Sequence, residues 1–367
     1  MIIRSNRRRG RDVRRLAAIS ALAALVLVAA GCGSSGDDSG GATKVTFAGN
    51  LPVPPTATLL AVPESLGYFS DAGIEVTHQV TEGTIEGIQA VVAGRADFAI
   101  GGTTAAISGY ASEKDLRIVS TFSSNYRIIV KDETPITTTQ DLRGKKIGVQ
   151  ALASASYQFG RAFVSEAGMN PDNDVSFLPV GLGAQAAEAL KSGEIDAFVT
   201  YTGAAEEVVR LVGGEFRSVE SPLNNMPGTT SWITTKSFAE KNPEAVEGFL
   251  AAQYKAALYA STNPESAIRL FWEQYPDAKP DGDVKSALGT LVPTAQPGYA
   301  DMASRNDAGV FGTLEMAEFQ EVADTFAKYG LIENKVTMSD LVDFSFAEAA
   351  SAKTDIGSIE AEAKAAG

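Results

Sequence analysis

Gly101-Gly102-Thr103-Thr104 closes the apolar run Ala96-Asp97-Phe98-Ala99-Ile100. Two glycines let a ligand approach backbone closely. A threonine after them caps the next helix and presents a hydroxyl. Free N–H groups at a helix start suit an anion or a carbonyl oxygen. A second stretch, "EALKSGEIDAFVTYT" at 188–202, repeats the layout of helix, glycine turn, aspartate, apolar strand and polar tip. Asp97 matches Asp196 and Gly94 matches Gly193. One device used at two strand tips predicts two walls of one site.

Covalent and metal chemistry find little support. The chain has one histidine, His78, and one cysteine, Cys32. It shows no metal-ligand spacing, no Ser/His/Asp set and no phosphate loop of the G-x-x-x-x-G-K type. Glu206-Glu207 reads as a solvated helix face. The expectation is a binding protein with no cofactor and no catalytic residue.

The N-terminus differs from the rest. "MIIRSNRRRGRDVRR" is basic, and "LAAISALAALVLVAAGC" is apolar and ends in small residues. The run from Leu16 to Ala30 is short for a membrane span. A charged segment followed by a short apolar one predicts an export signal over 1–31. "AAGC" at 29–32 resembles a lipobox, with Ala29 where Leu is commonest. Cys32 is then the expected lipidation site and mature N-terminus, followed by a flexible Gly/Ser linker to residue 43. The resulting location is extracytoplasmic, with the chain anchored to the membrane through its N-terminal lipid. Removing residues 1–31, with seven Arg and one Asp, takes the formal charge from −14 to −20. So acidic a body argues against a nucleic-acid partner.

The elements that must position the strand tips alternate along the chain. Strands are expected at 44–49, 74–81, 96–102 and 116–122, with helices between them. The pattern restarts with strands near 145–150, 175–181, 195–202 and 216–221. This predicts an α/β protein of two lobes, each with a mostly parallel sheet flanked by helices. The lobes are assigned as 44–125 plus 236–367 and 135–227. Two hinge crossings, 126–134 and 228–235, join them, and "GTTSWITTKSF" at 228–238 reads as a return strand. From 237 the chain is largely helical, with Asn242-Pro243 at a turn or helix start. In such sheets ligands bind beyond the carboxyl ends of the strands.

"LGYFSDAGIEV" (66–76), "VVAGRADFAIGG" (91–102), "DLRGKKIGVQ" (141–150) and "LKSGEIDAFVTY" (190–201) carry a resemblance. They resemble the substrate-binding lipoproteins of ABC importers for sulfonates, taurine, nitrate and thiamine precursors. The resemblance implies a type II periplasmic-binding-protein fold that closes on its ligand. It also implies a permease and an ATPase as partners, and we expect a monomer. Carried over by position, the ligand-binding residues in the first lobe are Asn50, Thr84, Gly102, Thr103, Thr104, Ser124 and Asn125, followed by Tyr126. In the second they are Ser154, Ser156, Tyr157, Gly183, Thr200, Tyr201 and Thr202. Some relatives of this fold make the thiamine pyrimidine from their own histidine, with iron and a Cys-rich motif. This chain lacks that motif.

Other residues stay open at this point. Arg127 reaches into the cleft to pair an anion, or serves as a surface or inter-lobe charge. Arg161 reads as a surface charge. Trp232 stacks on a ligand or packs the hinge. The tips are rich in Ser, Thr and Tyr and poor in cations, which suits an organic solute with an apolar body. Sulfonate, aliphatic or aromatic carboxylate and pyrimidine all fit that description.

Overall fold

The computed structural model describes residues 41–50, 52–333 and 335–366. The expected signal segment, Cys32 and most of the linker lie outside the described residues.

Among the described residues, ten strands form two five-stranded sheets. The first sheet holds β1 (Thr43–Gly49), β2 (Ile74–Val80), β3 (Phe98–Gly102) and β4 (Leu116–Phe122). The second holds β5 (Arg127–Lys131), β6 (Lys146–Val149), β7 (Ser176–Pro179), β8 (Ala197–Thr200) and β9 (Phe216–Val219). The last strand, β10 (Thr230–Thr235), returns to the first sheet. The strand orders are β2-β1-β3-β10-β4 and β7-β6-β8-β5-β9.

The two orders are one topology used twice. β1 is parallel to β2 and β3, and β6 is parallel to β7 and β8. One strand in each sheet runs against its neighbours: β10 beside β3 and β4, and β5 beside β8 and β9. The reason is geometric. The chain leaves each sheet at the carboxyl tip of β4 or β9. It enters the other sheet at the same end and must run away from it. Residues 127–131, expected within the first crossing, are therefore a sheet strand, and 230–235 form the expected return strand. The connecting segments are shorter: 123–126 and 220–229. Each contains a non-glycine residue with positive φ, Asn125 at 43° and Asn225 at 61°, a region Asn tolerates better than most residues.

The repeated aspartate serves the sheet. Asp97 Oδ2 accepts from the Thr46 N–H at 2.7 Å, and Asp97 N–H donates to the Thr46 carbonyl. Asp196 makes the same pair of bonds to Lys146, its Oδ2 accepting at 2.8 Å. Both aspartates lie just before β3 and β8, at the opposite end of the strand from the cleft. Gly94 and Gly193, with φ of 66° and 76°, turn the chain ahead of them.

Each lobe has an aromatic centre. In the first, Phe249 of the helix Pro243–Thr262 stacks on Phe98 at 4.2 Å and meets Trp232 edge-on at 5.0 Å. That helix begins with Pro at its first turn after Asn242, where the missing N–H costs nothing. Trp232 is fully buried between Phe47 and Phe249, so it packs the first lobe. In the second, Phe159 of the helix Ala155–Glu166 stacks on Tyr126 at 4.3 Å. Phe326, from the helix Met316–Lys328, meets Phe159 edge-on at 5.7 Å. The helix Met316–Lys328 lies against the 220–229 connection, since Pro222, Leu223 and Met226 share a pocket wall with Glu318 and Val322. An apolar seam therefore joins the lobes on the connection side.

His78 stacks on Phe47 at 5.2 Å, and its Nε2 lies 3.3 Å from the Gly49 carbonyl. Burial lowers its pKa below the ordinary imidazole value. Among the described residues no group of three or more metal-ligating side chains converges, and no helix is long and apolar enough to cross a membrane.

Candidate functional site

The strand tips of both sheets meet around a cavity of about 140 Å³. Two helix starts face each other across it. The helix Thr103–Ser112 begins after Gly102, and Ala155–Glu166 begins after Ser154. Ser154 caps its helix through the Tyr157 N–H. A Cβ on Gly102 would stand 2.6 Å from the Ala155 Cβ. The lobes thus approach to backbone distance, and glycine permits it.

Of the expected ligand residues, Asn50, Thr84, Gly102, Ser124, Tyr126, Ser154, Tyr201 and Thr202 line the cavity. Tyr126 and Tyr201 meet edge-on at 6.0 Å. Burial pushes both phenols up, Tyr201 to about 12 with Glu207 adding to the effect, so both stay neutral. Thr84 Oγ1 accepts from the Gly102 N–H at 3.1 Å, which ties two tips of the first lobe together.

The remaining expected residues stand elsewhere. Thr103 is fully buried. Its hydroxyl donates to the Gly228 carbonyl at 2.6 Å and lies 2.7 Å from Ser231 Oγ. Thr104 donates to Gln158 Oε1 across the cleft. Asn125 sits in the first connection with its amide toward Asp301. Ser156 Oγ accepts from the Gln150 N–H at 3.0 Å. Tyr157 packs edge-on against Phe177 and accepts from Arg161. Gly183 opens the helix Ala184–Ser192 at φ 57°. Thr200 is buried in β8, directly opposite Arg127 in register. For Thr103 and Ser156 the reason is physical: a small hydroxyl at a strand tip or helix start has backbone partners in reach, and burial makes an unpaired one costly. Thr200 Oγ1 is the exception, buried without a hydrogen-bond partner among the described residues.

Arg127 stands behind the cavity wall. Its Nη2 donates to Thr202 Oγ1 at 2.8 Å, and Nη1 lies 3.9 Å from Glu206. Arg161 is a surface charge paired with Asp172.

The wall also holds residues that sequence reasoning passed over. Leu59, Ile100, Phe122 and Met302 give it an apolar body. Asp301 gives it a charge. It sits near the end of the helix Val284–Met302, which packs on the first lobe and reaches the second where Thr294 O approaches Gly203. Burial pushes the Asp301 carboxyl up to about 6, with Arg127 opposing and Glu206 adding to the rise. The helix contains Pro293 and Pro297, which break the usual helical signal.

Comparison with known proteins places the chain. A match to the family described as NMT1/THI5 like spans residues 55–267, more than half of the chain. A Legionella pneumophila protein named 4-amino-5-hydroxymethyl-2-methylpyrimidine phosphate synthase is 23% identical over 259 residues, 65% of this chain and 75% of the relative. A Brucella abortus protein named as a binding protein is 26% identical over 216 residues, 58% of this chain and 65% of the relative. Among solved structures, the periplasmic aliphatic sulphonate binding protein of Escherichia coli superposes with a TM-score of 0.59 at 19% identity. That alignment covers 82% of this chain and 97% of the other. Two five-stranded sheets of one topology, joined at their strand tips over a cavity, are the type II periplasmic-binding-protein arrangement, and the chain belongs to the NMT1/THI5-like family.

Proposed function

We propose that this chain is the extracytoplasmic solute-binding component of an ABC importer. It captures a small organic solute between two lobes and delivers it to a permease and its ATPase. The observation that carries the reading is the cavity itself, lined by strand tips from both sheets and closed by contacts between lobes. Its aromatic and apolar wall suits a solute with a flat or aliphatic body. Sulfonates and carboxylates are one candidate class, and the name of the Escherichia coli sulphonate binding protein supports it. A thiamine-precursor pyrimidine or related neutral heterocycle is the other, and the name of the Legionella relative supports it.

That same Legionella name raises catalysis as the rival. Binding is favoured because the described cavity wall carries one carboxylate and no histidine, cysteine or lysine. A lone carboxylate lacks the partner that acid–base or nucleophilic catalysis needs. A surface sensor or adhesin is the remaining class.

Solution scattering tests the reading. With a compound selected by thermal shift from sulfonates, carboxylates and pyrimidines, the radius of gyration is expected to fall on binding. The apolar seam through Phe159 and Phe326 limits opening to the side away from the connections. Identical scattering curves at saturation would count against closure, and turnover of the compound by mass spectrometry would favour an enzyme.

The proposed lipid anchor has its own test. Cys32→Ser is expected to release the protein into the medium or leave residues 1–31 attached. Unchanged membrane fractionation and processing would remove the anchor from the proposal.

A further inference from the structure

Asp301 is the one charged side chain among the described residues that line the cavity. Its surroundings leave it poorly compensated. Its hydrogen-bond donor among the described residues is the Asn125 amide, 3.3 and 3.4 Å from the two carboxylate oxygens. Those distances are long for a bond to a charged acceptor. The nearby cation, Arg127, is engaged by Thr202 and Glu206 in the second lobe. An ionised carboxylate offers about four acceptor sites, and the Asn125 amide is the one side-chain donor to it among the described residues.

Three hydroxyls at or beside the helix starts, where an anion would be served, are engaged elsewhere. Thr103 gives its proton to the Gly228 carbonyl, Thr104 to Gln158, and Ser154 to the Ala151 carbonyl at 2.6 Å. An anion placed in this cavity would meet a carboxylate with no side-chain cation in the described wall to offset it, and like charges at that range repel. A group that donates N–H bonds relieves both problems.

We propose that the captured solute presents a nitrogen base to Asp301: an amine, an amidine or an aminoheterocycle. This rests on reading the cavity as a solute site. An amidine-type edge offers two parallel N–H groups, which match the two oxygens of one carboxylate. Its flat body suits the wall made by Phe122, Tyr126 and Tyr201, and a cation near aromatic faces is attracted to them. Asp301 then selects the solute by charge, while the aromatic wall selects it by shape.

Titration calorimetry on the full-length protein at about pH 7.5 tests this with matched probes. Benzamidine and 2-aminopyridine carry the nitrogen base, while benzoate and benzenesulfonate carry an anion on a similar ring. The nitrogen probes are expected to bind and the anions to give no heat. Asp301→Asn should weaken the nitrogen probes at least tenfold, and Asp301→Glu should restore part of the loss. A thermal melt of each variant confirms that it is folded. If benzoate or benzenesulfonate binds and the nitrogen probes do not, the assignment of Asp301 is overturned and the solute-binding reading stands. Nitrogen-probe binding that Asp301→Asn leaves unchanged likewise overturns only Asp301. If no probe binds to folded protein, both are overturned.

Discussion

Gly102→Ala is expected to lower solute affinity at least tenfold and to prevent the compaction seen on binding, with little change in the melting of the unliganded protein. The new methyl would lie 2.6 Å from the Ala155 Cβ, which belongs to the opposite lobe. Real Cβ contacts are not that short, and Ala155 is itself a methyl on helix backbone with nothing flexible to swing aside. The backbone at Gly102, φ −58° and ψ 127°, is open to any residue, so the substitution brings no local strain. Its cost therefore falls on the approach of the lobes. Gly101→Ala is the contrasting variant. Its methyl would collide with Thr84, inside the first lobe, and disturb the Thr84 hydroxyl that accepts from Gly102 N–H. That variant should lose thermal stability, whereas Gly102→Ala should not. Calorimetry and scattering on both variants read the difference, and wild-type affinity in Gly102→Ala would show that the cleft does not close to this distance.

The fold was legible in the sequence to a greater depth than the site. β1 to β4 and β6 to β9 coincide with expected strands, because alternating helix and strand with glycine turns leaves few other arrangements. What periodicity does not carry is strand partnership. The run at 127–131 is apolar in either sheet, and only the geometry of crossing at the tips makes it antiparallel in the second. The repeat of Asp97 and Asp196 was visible, but its purpose was not. A conspicuous polar residue beside a strand reads as a site, whereas here it holds a neighbouring strand by two backbone bonds.

The site divided along similar lines. Several of the expected tip residues, Gly102, Ser154 and Tyr201 among them, line the cavity. Two of the expected hydroxyls, Thr103 and Thr104, instead bond to the second connection and the opposite helix. Asp301 carried no signal of its own. It lies beyond the 55–267 span that the family match covers, on a helix whose two prolines obscure its periodicity. An acidic residue there looks like one more surface charge on an acidic protein.

The same residue makes unliganded stability depend on pH in a way that can be separated from every other carboxylate. Burial in the cavity wall pushes Asp301 up from 3.8 to about 6. Three groups face it. Arg127 from β5 and the Asn125 amide from the first connection favour its charge, and Glu206 from the helix Ala204–Val212 opposes it. Between about pH 4 and pH 6 the native carboxyl holds its proton while the unfolded one has lost it. Stability therefore falls as pH rises through that window. The penalty is absent below it and fully present above it. A tenfold difference in proton affinity between the folded and unfolded chain corresponds to about 1.4 kcal/mol. Partial exposure screens the charge, so a loss on the order of 1 kcal/mol is expected. Asp301→Asn removes the charge and keeps the shape. Its melting temperature should match wild type near pH 4, exceed it progressively up to about pH 6, and stay above it by a constant margin at higher pH. Thermal melts of the two unliganded proteins across that range measure the gap directly. A constant gap at every pH would show that the Asp301 carboxyl titrates as an ordinary surface acid, and with it would go the argument that this carboxylate stands uncompensated in the cavity wall.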